Sequence, residues 1–536
     1  KQSSIVEEWG MLRPASRVRL SSKQLGFAGV FTLKSFALSI LHAMLVLLCM
    51  AVVGMQAASA TGPDASAGHG SEASCGVAVV GGGWAGIYAA WRLAVDEGSI
   101  AANDVCLFEA RAEPGGRTYT VKVEVGASGP LMIDIGAYRF SKEQHLPADL
   151  IQHLNLSSAC YEPSCTVDAE LNASLHKIVD VAGNNAGYGL PIKYMVDQMT
   201  RAGVRFYMHH ALTGLFEATL PDKRRPVVAY LDKPPVELFF ANGVRVHTSS
   251  VVLNLPRKTM QQLHPNSLPF KTKLGSLILR DCTPCPGLNF QQPKVYAIYE
   301  DPWWLTRLGI KEGFFVSSTA DPPLVGRYHD GPVHRAVDGK IGAGALEVVY
   351  SESPVHPEIR WYFQYQRNFS DPLAISRDPK FRATLHNRLM EYHRANFSVR
   401  GINISTVIPP VAVVLAFWDL QNPGYLTAPV NSNFHRQMAQ CPQETCLNGV
   451  SDNQYLAAAS APTEGRFHVF VANNDFTLNG FHGEKCCWAE NSLIAVEKLL
   501  HDNFQLHQPA WLEPKYYRDV VMRSSKYREE SDGMYV

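Results

Sequence analysis

Three glycines early in the chain have the spacing of a dinucleotide-binding loop. The run VAVVGGGWAGIYAAWRLA contains the pattern G-x-G-x-x-G, with an apolar, β-branched stretch before it and a helix-forming stretch after it. The first glycine permits a tight turn, the second lets the backbone approach a pyrophosphate, and the third allows close helix–strand packing. The helix N-terminus offers free N–H groups to the phosphates. A second strand-like segment, DVCLFEA, places an acid where it can bind ribose hydroxyls, as this motif requires. The residues expected to contact the dinucleotide here are Gly81, Gly83, Trp84, Ala85, Gly86, Glu109 and Ala110.

The residues after Glu109 resemble the flavin-containing amine oxidases, and specifically the L-amino-acid oxidases. The segment ARAEPGGRTYT, with Gly116 and Arg117, is similar to that family's E-A-x-x-R-x-G-G-R segment, whose GGR loop binds the FAD pyrophosphate. The resemblance therefore implies FAD rather than NAD, since an NAD-dependent enzyme would leave the GGR loop without a purpose. Glu113 stands where the family has its first arginine, and a carboxylate near a pyrophosphate is unfavourable unless it turns away.

The next matching segment implies a substrate clamp. MIDIGAYRF resembles the family's G-P-M-R motif, so Gly136, Ala137, Tyr138 and Arg139 are expected beside the flavin, with Arg139 clamping the substrate carboxylate. The planar fork of arginine accepts a carboxylate bidentately, and a charge-assisted hydrogen bond is worth roughly 1.5–3 kcal/mol. The alternative for Arg139 is a surface ion pair.

Further site residues are implied far along the chain. GAGALEVVYSES resembles the family segment whose tyrosine hydrogen-bonds the same carboxylate, and Tyr350 occupies that place. PKVYAIYEDPWW resembles the strand whose lysine contacts the flavin through a water, which selects Lys294. Leu212, in FYMHHALTGL, stands where backbone groups hold the adenine. The alternative for Tyr350 is a tyrosine of the hydrophobic core, and the alternative for Lys294 is a lysine that faces solvent.

The C-terminal flavin segment departs from the family pattern. Asn473 and Asn474 replace a Gly-Glu pair, and Cys487 replaces the glycine before Trp488. Asn474 can bond the ribityl chain, but Asn473 lacks the conformational freedom of glycine. The helix that follows has an N-terminus able to stabilise negative charge. The residues expected to contact the flavin in this segment are Asn474, Trp488, Ala489 and Glu490.

The resemblance implies oxidative deamination of an L-amino acid by an FAD enzyme, with dioxygen as second substrate and a keto acid, ammonia and hydrogen peroxide as products. In this scheme Arg139, Tyr350, Lys294 and Trp488 are the catalytic set. One alternative is a primary-amine or polyamine oxidase of the same fold. Another is a catalytically silent FAD-binding protein, suggested by Glu113, by the two asparagines and by a shortened insertion.

Alternating strand-like and helix-like segments favour an α/β fold. We expect a Rossmann-like FAD-binding domain with an inserted mixed-sheet substrate domain and a reduced helical insertion. The expected segments are a signal peptide or signal-anchor at 1–60, a linker at 61–75, FAD-binding parts at 76–140, 187–258 and 431–516, the shortened insertion at 141–186, the substrate-binding domain at 259–430 and a polar tail at 517–536.

The N-terminal segment predicts entry into the secretory pathway. A basic region, about twenty largely apolar residues and the exit QAASA match a secretory signal, or an uncleaved membrane anchor. Close cysteine pairs predict disulfides in such a chain, with zinc as the weaker alternative, and five N-x-S sequons fit glycosylation. The pairs are Cys160/Cys165, Cys282/Cys285 and Cys441/Cys446, and the sequons are at Asn155, Asn172, Asn368, Asn396 and Asn403.

The charge balance argues against a polyanionic partner. The chain has 49 basic and 49 acidic side chains, which gives no support to nucleic-acid binding. We expect a small-molecule amino acid or amine and dioxygen as partners and no metal. A homodimer is left open, as are the substrate's side chain and the cleavage of the signal.

Overall fold

The structure is a computed structural model that describes most of the chain from residue 72 to residue 522. The described residues are 72–126, 129–162, 164–165, 167–168, 173–218, 233–279, 292–317, 321–336, 338–350, 360–365, 373–418, 460–473, 476 and 489–522. The expected signal or anchor segment, the linker, Asn474, Cys486, Cys487 and Trp488 lie outside these residues, as do the cysteine pairs Cys282/Cys285 and Cys441/Cys446.

Twenty strands are named in chain order. They are β1 (Glu72–Val80), β2 (Val105–Phe108), β3 (Thr120–Glu124), β4 (Pro130–Asp134), β5 (Phe140–Ser141), β6 (Ser157–Cys160), β7 (Val167–Asp168), β8 (Ala173–Val179), β9 (Arg205–Tyr207), β10 (Leu212–Glu217), β11 (Val236–Phe240), β12 (Arg245–Leu253), β13 (Gln292–Tyr299), β14 (Phe314–Ser317), β15 (Leu324–Arg327), β16 (Val333–Arg335), β17 (Ile341–Tyr350), β18 (Leu373–Ser376), β19 (Ala412–Trp418) and β20 (Val469–Val471).

Eleven α-helices accompany the strands in the described part of the chain. They are α1 (Trp84–Trp91), α2 (His145–His153), α3 (Leu190–Ala202), α4 (Arg257–Gln261), α5 (Lys273–Leu279), α6 (Trp303–Thr306), α7 (Arg360–Phe363), α8 (Pro379–Tyr392), α9 (Arg394–Val399), α10 (Ala489–Phe504) and α11 (Pro514–Tyr516).

The first sheet has the arrangement of a Rossmann-like domain. Its order is β10-β11-β12-β1-β2-β9, with β20 beside β12, and β1 runs parallel to both β12 and β2. The apolar residues Val77 to Val80 of β1 are buried on both faces, as expected for a parallel strand covered on two sides. The strands β1, β2 and β12 end together, and a ligand of such a sheet binds outside their carboxyl ends.

Alternate residues of this sheet enter two cores. Val77, Val79 and Leu107 pack with α1, α3 and α10 on one face. Helices α1 and α10 are also joined by a buried network, in which Glu497 accepts hydrogen bonds from Tyr88 at 2.6 Å and from Arg92 at 2.8 Å. The helix that carries the glycine loop is therefore fixed on both the sheet and the C-terminal helix.

In the second sheet, every described pair of neighbouring strands is antiparallel. Its order is β14-β15-β17-β13-β19-β18, with β16 beside β17. The hairpin β3–β4 packs against one face of this sheet. The chain leaving β4 therefore passes from the dinucleotide loops to the second sheet. The predicted α/β class, with its Rossmann-like domain and a second sheet, is confirmed, whereas the segment boundaries stay a prediction.

The segment expected to be a shortened insertion contains α2 and a small sheet of β5, β6, β7 and β8. The predicted disulfide between Cys160 and Cys165 is present there. A second disulfide joins Cys75 of β1 to Cys106 of β2, two cysteines to which the sequence assigned no partner. Their separation of 31 residues gives no local signal, and only the parallel pairing of β1 with β2 brings them together.

Few of the described residues bear on the predictions of glycosylation and secretion. Asn155, Asn396 and Asn403 are exposed, while the other two sequons lie outside the described residues. No helix in the described part of the chain is long and apolar enough to cross a bilayer. Glycosylation and secretion stay predictions.

Candidate functional site

The glycine loop after β1 is shaped by close backbone contacts. Gly81 has a φ of +102°, and a Cβ there would lie 2.3 Å from the carbonyl oxygen of Asn254. A Cβ on Gly86 would lie 2.0 Å from the carbonyl oxygen of Gly81. The side chain of Asn254, at the end of β12, donates to that same Gly81 oxygen at 3.1 Å. Only glycine fits these two positions, as the motif predicted.

The GGR turn lies directly against this loop. Gly115 N–H donates to the Gly82 carbonyl at 2.8 Å, and a Cβ on Gly116 would lie 3.1 Å from the Cα of Gly83. Two turns without side chains thus share one face, and a pyrophosphate can reach the backbone there. This contact supports FAD, the cofactor predicted from the sequence, because the second turn is the one that resembles a flavin-binding segment.

Glu109 lies at the end of β2, where the ribose was expected. Its carboxylate accepts hydrogen bonds from Gly82 N–H at 2.7 Å and from Arg111 N–H at 2.9 Å, one on each oxygen. Each carboxylate oxygen keeps a further lone pair that can accept a ribose hydroxyl. The residues present therefore fit an adenosine dinucleotide.

The two departures within the described residues are compatible with such a cofactor. Glu113 is exposed, so its carboxylate is accessible to solvent and is not buried against the glycine turns. Asn473 is buried, accepts a hydrogen bond from Arg117 at 3.3 Å and donates one to Asn254 at 3.0 Å. Asn473 does not have a positive φ, so this position does not need the freedom of glycine. The sequence missed Asn254 and this bridge.

The other predicted cofactor residues have definite places. Trp84 and Ala85 open α1, and Leu212 opens β10, where it pairs with Phe240. Ala110 follows β2, and Ala489 begins α10. Glu490 is buried, and its carboxylate accepts hydrogen bonds from Leu146 N–H at 3.1 Å and from the Tyr516 hydroxyl. The contacts of these residues with a cofactor stay predictions.

Three of the four predicted catalytic residues come together between the two sheets. Lys294 of β13 lies opposite Tyr350 of β17 in the strand register. The Lys294 Nζ lies 3.5 Å from the ring centroid of Tyr138, and that ring meets Tyr350 edge-on at 6.0 Å. The guanidinium of Arg139 lies 4.9 Å from the Tyr138 ring centroid. The fourth residue, Trp488, lies outside the described residues.

Gly136 and Ala137 connect this cluster to the GGR turn. Ala137 N–H donates to the Arg117 carbonyl at 3.0 Å, and a Cβ on Gly136 would lie 2.0 Å from that carbonyl oxygen. The residues that precede Tyr138 and Arg139 are thus held against the dinucleotide loops. The sequence separates these segments by about 20 residues, and the hairpin β3–β4 brings them together.

Lys294 is a buried lysine held by backbone carbonyls. Its side chain is 2% exposed, and its Nζ donates to the Gly136 carbonyl at 2.7 Å and to the Asp134 carbonyl at 3.4 Å. Burial lowers the pKa of Lys294 to about 8, against the opposing effect of Glu347, Asp330 and Asp134. The lysine can therefore exchange a proton near neutral pH.

Arg139 stays charged in its buried position. Burial alone would lower its pKa, but the Tyr138, Tyr350 and Tyr161 hydroxyls and the Asp330 carboxylate hold the pKa above its ordinary value. Its guanidinium also lies 5.5 Å from the ring centroid of Tyr161. A charged fork beside three tyrosines can bind an anionic group.

The sequence missed a second charged layer behind these residues. The carboxylate of Asp330 lies 3.5 Å from Arg327, 3.1 Å from His329 and 3.5 Å from the Tyr138 hydroxyl. Glu347, in the middle of β17, is fully buried. A charged residue within the apolar run ALEVVY was a usable signal for Glu347, whereas the loop sequence RYHDG gave none for Asp330.

No metal site accompanies this layer. Within the described ranges, no group of histidine, cysteine and acidic side chains could hold a metal ion.

Comparisons with known proteins agree with the dinucleotide domain. The NAD(P)-binding Rossmann-like domain family matches residues 79–154. No curated protein sequence matches the chain. A redesigned triple mutant of putrescine oxidase has a similar structure, with a TM-score of 0.48 and 13% identity, over 81% of this chain and all of that one. Wild-type putrescine oxidase bound to putrescine gives a TM-score of 0.46 with the same identity and coverage. The match to the domain family and the order of the first sheet show that the chain contains a Rossmann-like dinucleotide-binding domain.

Proposed function

We propose that the chain is an FAD-dependent amine oxidase and that its substrate is an L-amino acid. The observation that carries the proposal is the convergence of Arg139, Tyr350 and Lys294 next to Gly136 and the GGR turn. These residues come from three distant parts of the sequence, and each matches a residue that the family resemblance assigns to the substrate or to the flavin.

The charge of the cluster supports an anionic substrate group. Four cationic side chains lie around the tyrosines, since Arg327 lies 4.3 Å from the Tyr350 ring centroid and Lys177 lies 6.0 Å from that of Tyr161, in addition to Arg139 and Lys294. Asp330 is ionised beside them: burial opposes its charge, but Arg327, a hydrogen bond from Glu347, His329 and Arg139 hold its pKa below the ordinary value. This excess of positive charge favours a carboxylate over a second cation.

The side chains have distinct tasks in this proposal. Arg139 and Tyr350 bind the substrate carboxylate and thereby fix the direction of its Cα–H bond. Tyr138 forms a wall of the pocket, and Lys294 holds a proton at Nζ in a site from which water is excluded. FAD, when bound by the two glycine turns, supplies the two-electron oxidation and passes the electrons to dioxygen.

One contact favours a second candidate, an oxidase of simple amines. The carboxylate of Asp330 lines a small cavity together with Tyr138, Tyr161 and Lys177. A buried carboxylate beside aromatic rings can also bind an alkylammonium group. An amine substrate would use this acid and would not need Arg139.

The visible spectrum of the purified protein distinguishes these functions. Flavin bands that bleach when L-amino acids are added without oxygen, but not when the decarboxylated amines are added, would support the amino-acid oxidase. Bleaching by amines alone would select the second candidate, and bands that no donor bleaches would leave a silent flavoprotein. The absence of flavin from folded protein would contradict the proposal altogether.

A variant of the proposed clamp adds a second test. Arg139→Gln should raise KM for an L-amino acid about tenfold to a hundredfold, because a charge-assisted bond of roughly 1.5–3 kcal/mol is lost. The flavin content should not change. Arg201→Gln is the matched control, since Arg201 is exposed on α3. Loss of flavin from Arg139→Gln would show that this arginine is structural.

A further inference from the structure

Asp330 and Glu347 are brought together by close packing of a loop on a strand. Gly331 lies so near β17 that a Cβ there would be 1.8 Å from the Ala345 carbonyl oxygen and 3.4 Å from Glu347 N. The residue before this glycine therefore reaches Glu347, and the two side chains face each other. Glu347 also lies opposite Tyr296 in the register of β17 with β13.

The surroundings of Glu347 are those of a proton donor. Its carboxyl group is hydrogen-bonded to Asp330 and to the Tyr296 hydroxyl opposite it. Tyr296 also donates to the Asp134 carbonyl at 3.3 Å. Asp330 is ionised beside Arg327 and His329, and a second ionised carboxylate buried next to it is strongly disfavoured. Glu347 therefore carries the proton, and burial together with the charge of Asp330 raises its pKa well above the ordinary value.

The pair lies beside the buried lysine. Burial lowers the pKa of Lys294, and among the acids that oppose this effect Glu347 has the largest influence, followed by Asp330 and Asp134, while Arg139 lowers the pKa further. Arg327 and His329 hold the other side of Asp330. The hydrogen bonds of Lys294 go to the Gly136 and Asp134 carbonyls, so the backbone holds Nζ in place and Lys294 forms no hydrogen bond with Glu347 or Asp330.

We propose that Asp330 and Glu347 are an acid pair that holds one proton between its two members and thereby presents a single negative charge to Lys294. Tyr138 connects the two sites, because its hydroxyl lies 3.5 Å from the Asp330 carboxylate and its ring centroid lies 3.5 Å from the Lys294 Nζ. The use of this charge in turnover rests on the proposed oxidase.

The first test is the infrared spectrum of the protein at neutral pH, which needs neither substrate nor turnover. The wild-type minus Glu347→Gln difference should contain the C=O band of an un-ionised carboxyl group, shifted in deuterated water. The subtraction is needed because Glu490 and Glu497 are further buried acids with raised pKa. Glu124→Gln, an exposed position, should change only carboxylate bands. A carboxylate band in the Glu347 difference would overturn the proposal.

The second test uses the other member of the pair and remains valid if Glu347→Gln does not fold. Asp330→Asn removes a negative charge near Lys294 and Glu347, so the pKa of both should fall. Acylation of Lys294, followed by mass spectrometry below its pKa, should become about tenfold faster. Unchanged labelling, or a Glu347 band that titrates at the same pH, would overturn the pair. Failure of the oxidase alone would appear as an intact band in a protein whose flavin does not bleach.

Discussion

The disulfide between Cys75 and Cys106 should be a major support of the dinucleotide domain. It joins β1, which leads into the glycine loop, to β2, which ends just before Glu109. Both cysteines are buried. The perturbation is the double variant Cys75→Ala/Cys106→Ala, which removes the cross-link and leaves no free thiol. The variant should lose stability because its unfolded chain regains the freedom that the closed loop had removed.

The size of the effect follows from the loop length. The chain-entropy relation gives about 3.7 kcal/mol at 25 °C for a separation of 31 residues. The same relation gives about 2.1 kcal/mol for Cys160–Cys165, which are 5 residues apart. The loss of two buried sulfur atoms adds to the first value, since their packing contacts are lost as well. Removal of the first disulfide should therefore cost more than removal of the second.

Urea unfolding of the wild-type protein and the two double variants measures this difference. Fluorescence and circular dichroism should give coincident transitions before free energies are compared. We expect the larger loss for Cys75→Ala/Cys106→Ala, and Cys160→Ala/Cys165→Ala is the matched control. A loss below about 1 kcal/mol for the first variant, or equal losses for both, would refute loop entropy as the main contribution of this disulfide.

Three further predictions concern the cofactor loop, the lysine and a buried acid. Gly86→Ala should lower the bound flavin per protein at least about tenfold, because its Cβ would lie 2.0 Å from the Gly81 carbonyl oxygen. Ser158→Ala, at an exposed position of β6, should retain flavin, and equal retention by both variants would contradict the close-approach argument. A rate that depends on Lys294 should titrate near pH 8, and Lys294→Met should remove that inflection from the pH profile; an unchanged profile would exclude the lysine. Burial raises the pKa of Glu490 to about 8, so the folded protein binds a proton that the unfolded chain releases, and stability should fall as pH rises from about 5 to about 8. Glu490→Gln should reduce the difference in Tm between these pH values, and a Tm difference as large as that of the wild type would contradict this assignment.

The local parts of the fold could be predicted from the sequence. The run of apolar residues before Gly81 and the helix-forming run after it specify a strand–turn–helix unit within about 20 residues. The spacing of Cys160 and Cys165 is also local. Such features depend on neighbours along the chain, so their residue types carry the information directly. The Cys75–Cys106 bond has no such pattern, since it requires that β1 and β2 be known to pair.

The charged layer could be predicted only in part, because the sequence marks Glu347 as an acid in an apolar strand and gives no signal for Asp330. From the sequence, Glu347 is an acidic residue in a strand, and acidic residues in strands usually face water. The loop around Gly331 packs on β17 next to Glu347, and it can approach this closely because Gly331 has no side chain to clash with the Ala345 carbonyl oxygen. Asp330 is then held beside a second acid, where two ionised carboxylates cannot coexist cheaply, so one must keep its proton. The packing of the loop on the strand therefore decides which acid keeps its proton. The residue types alone show only which groups are able to share one.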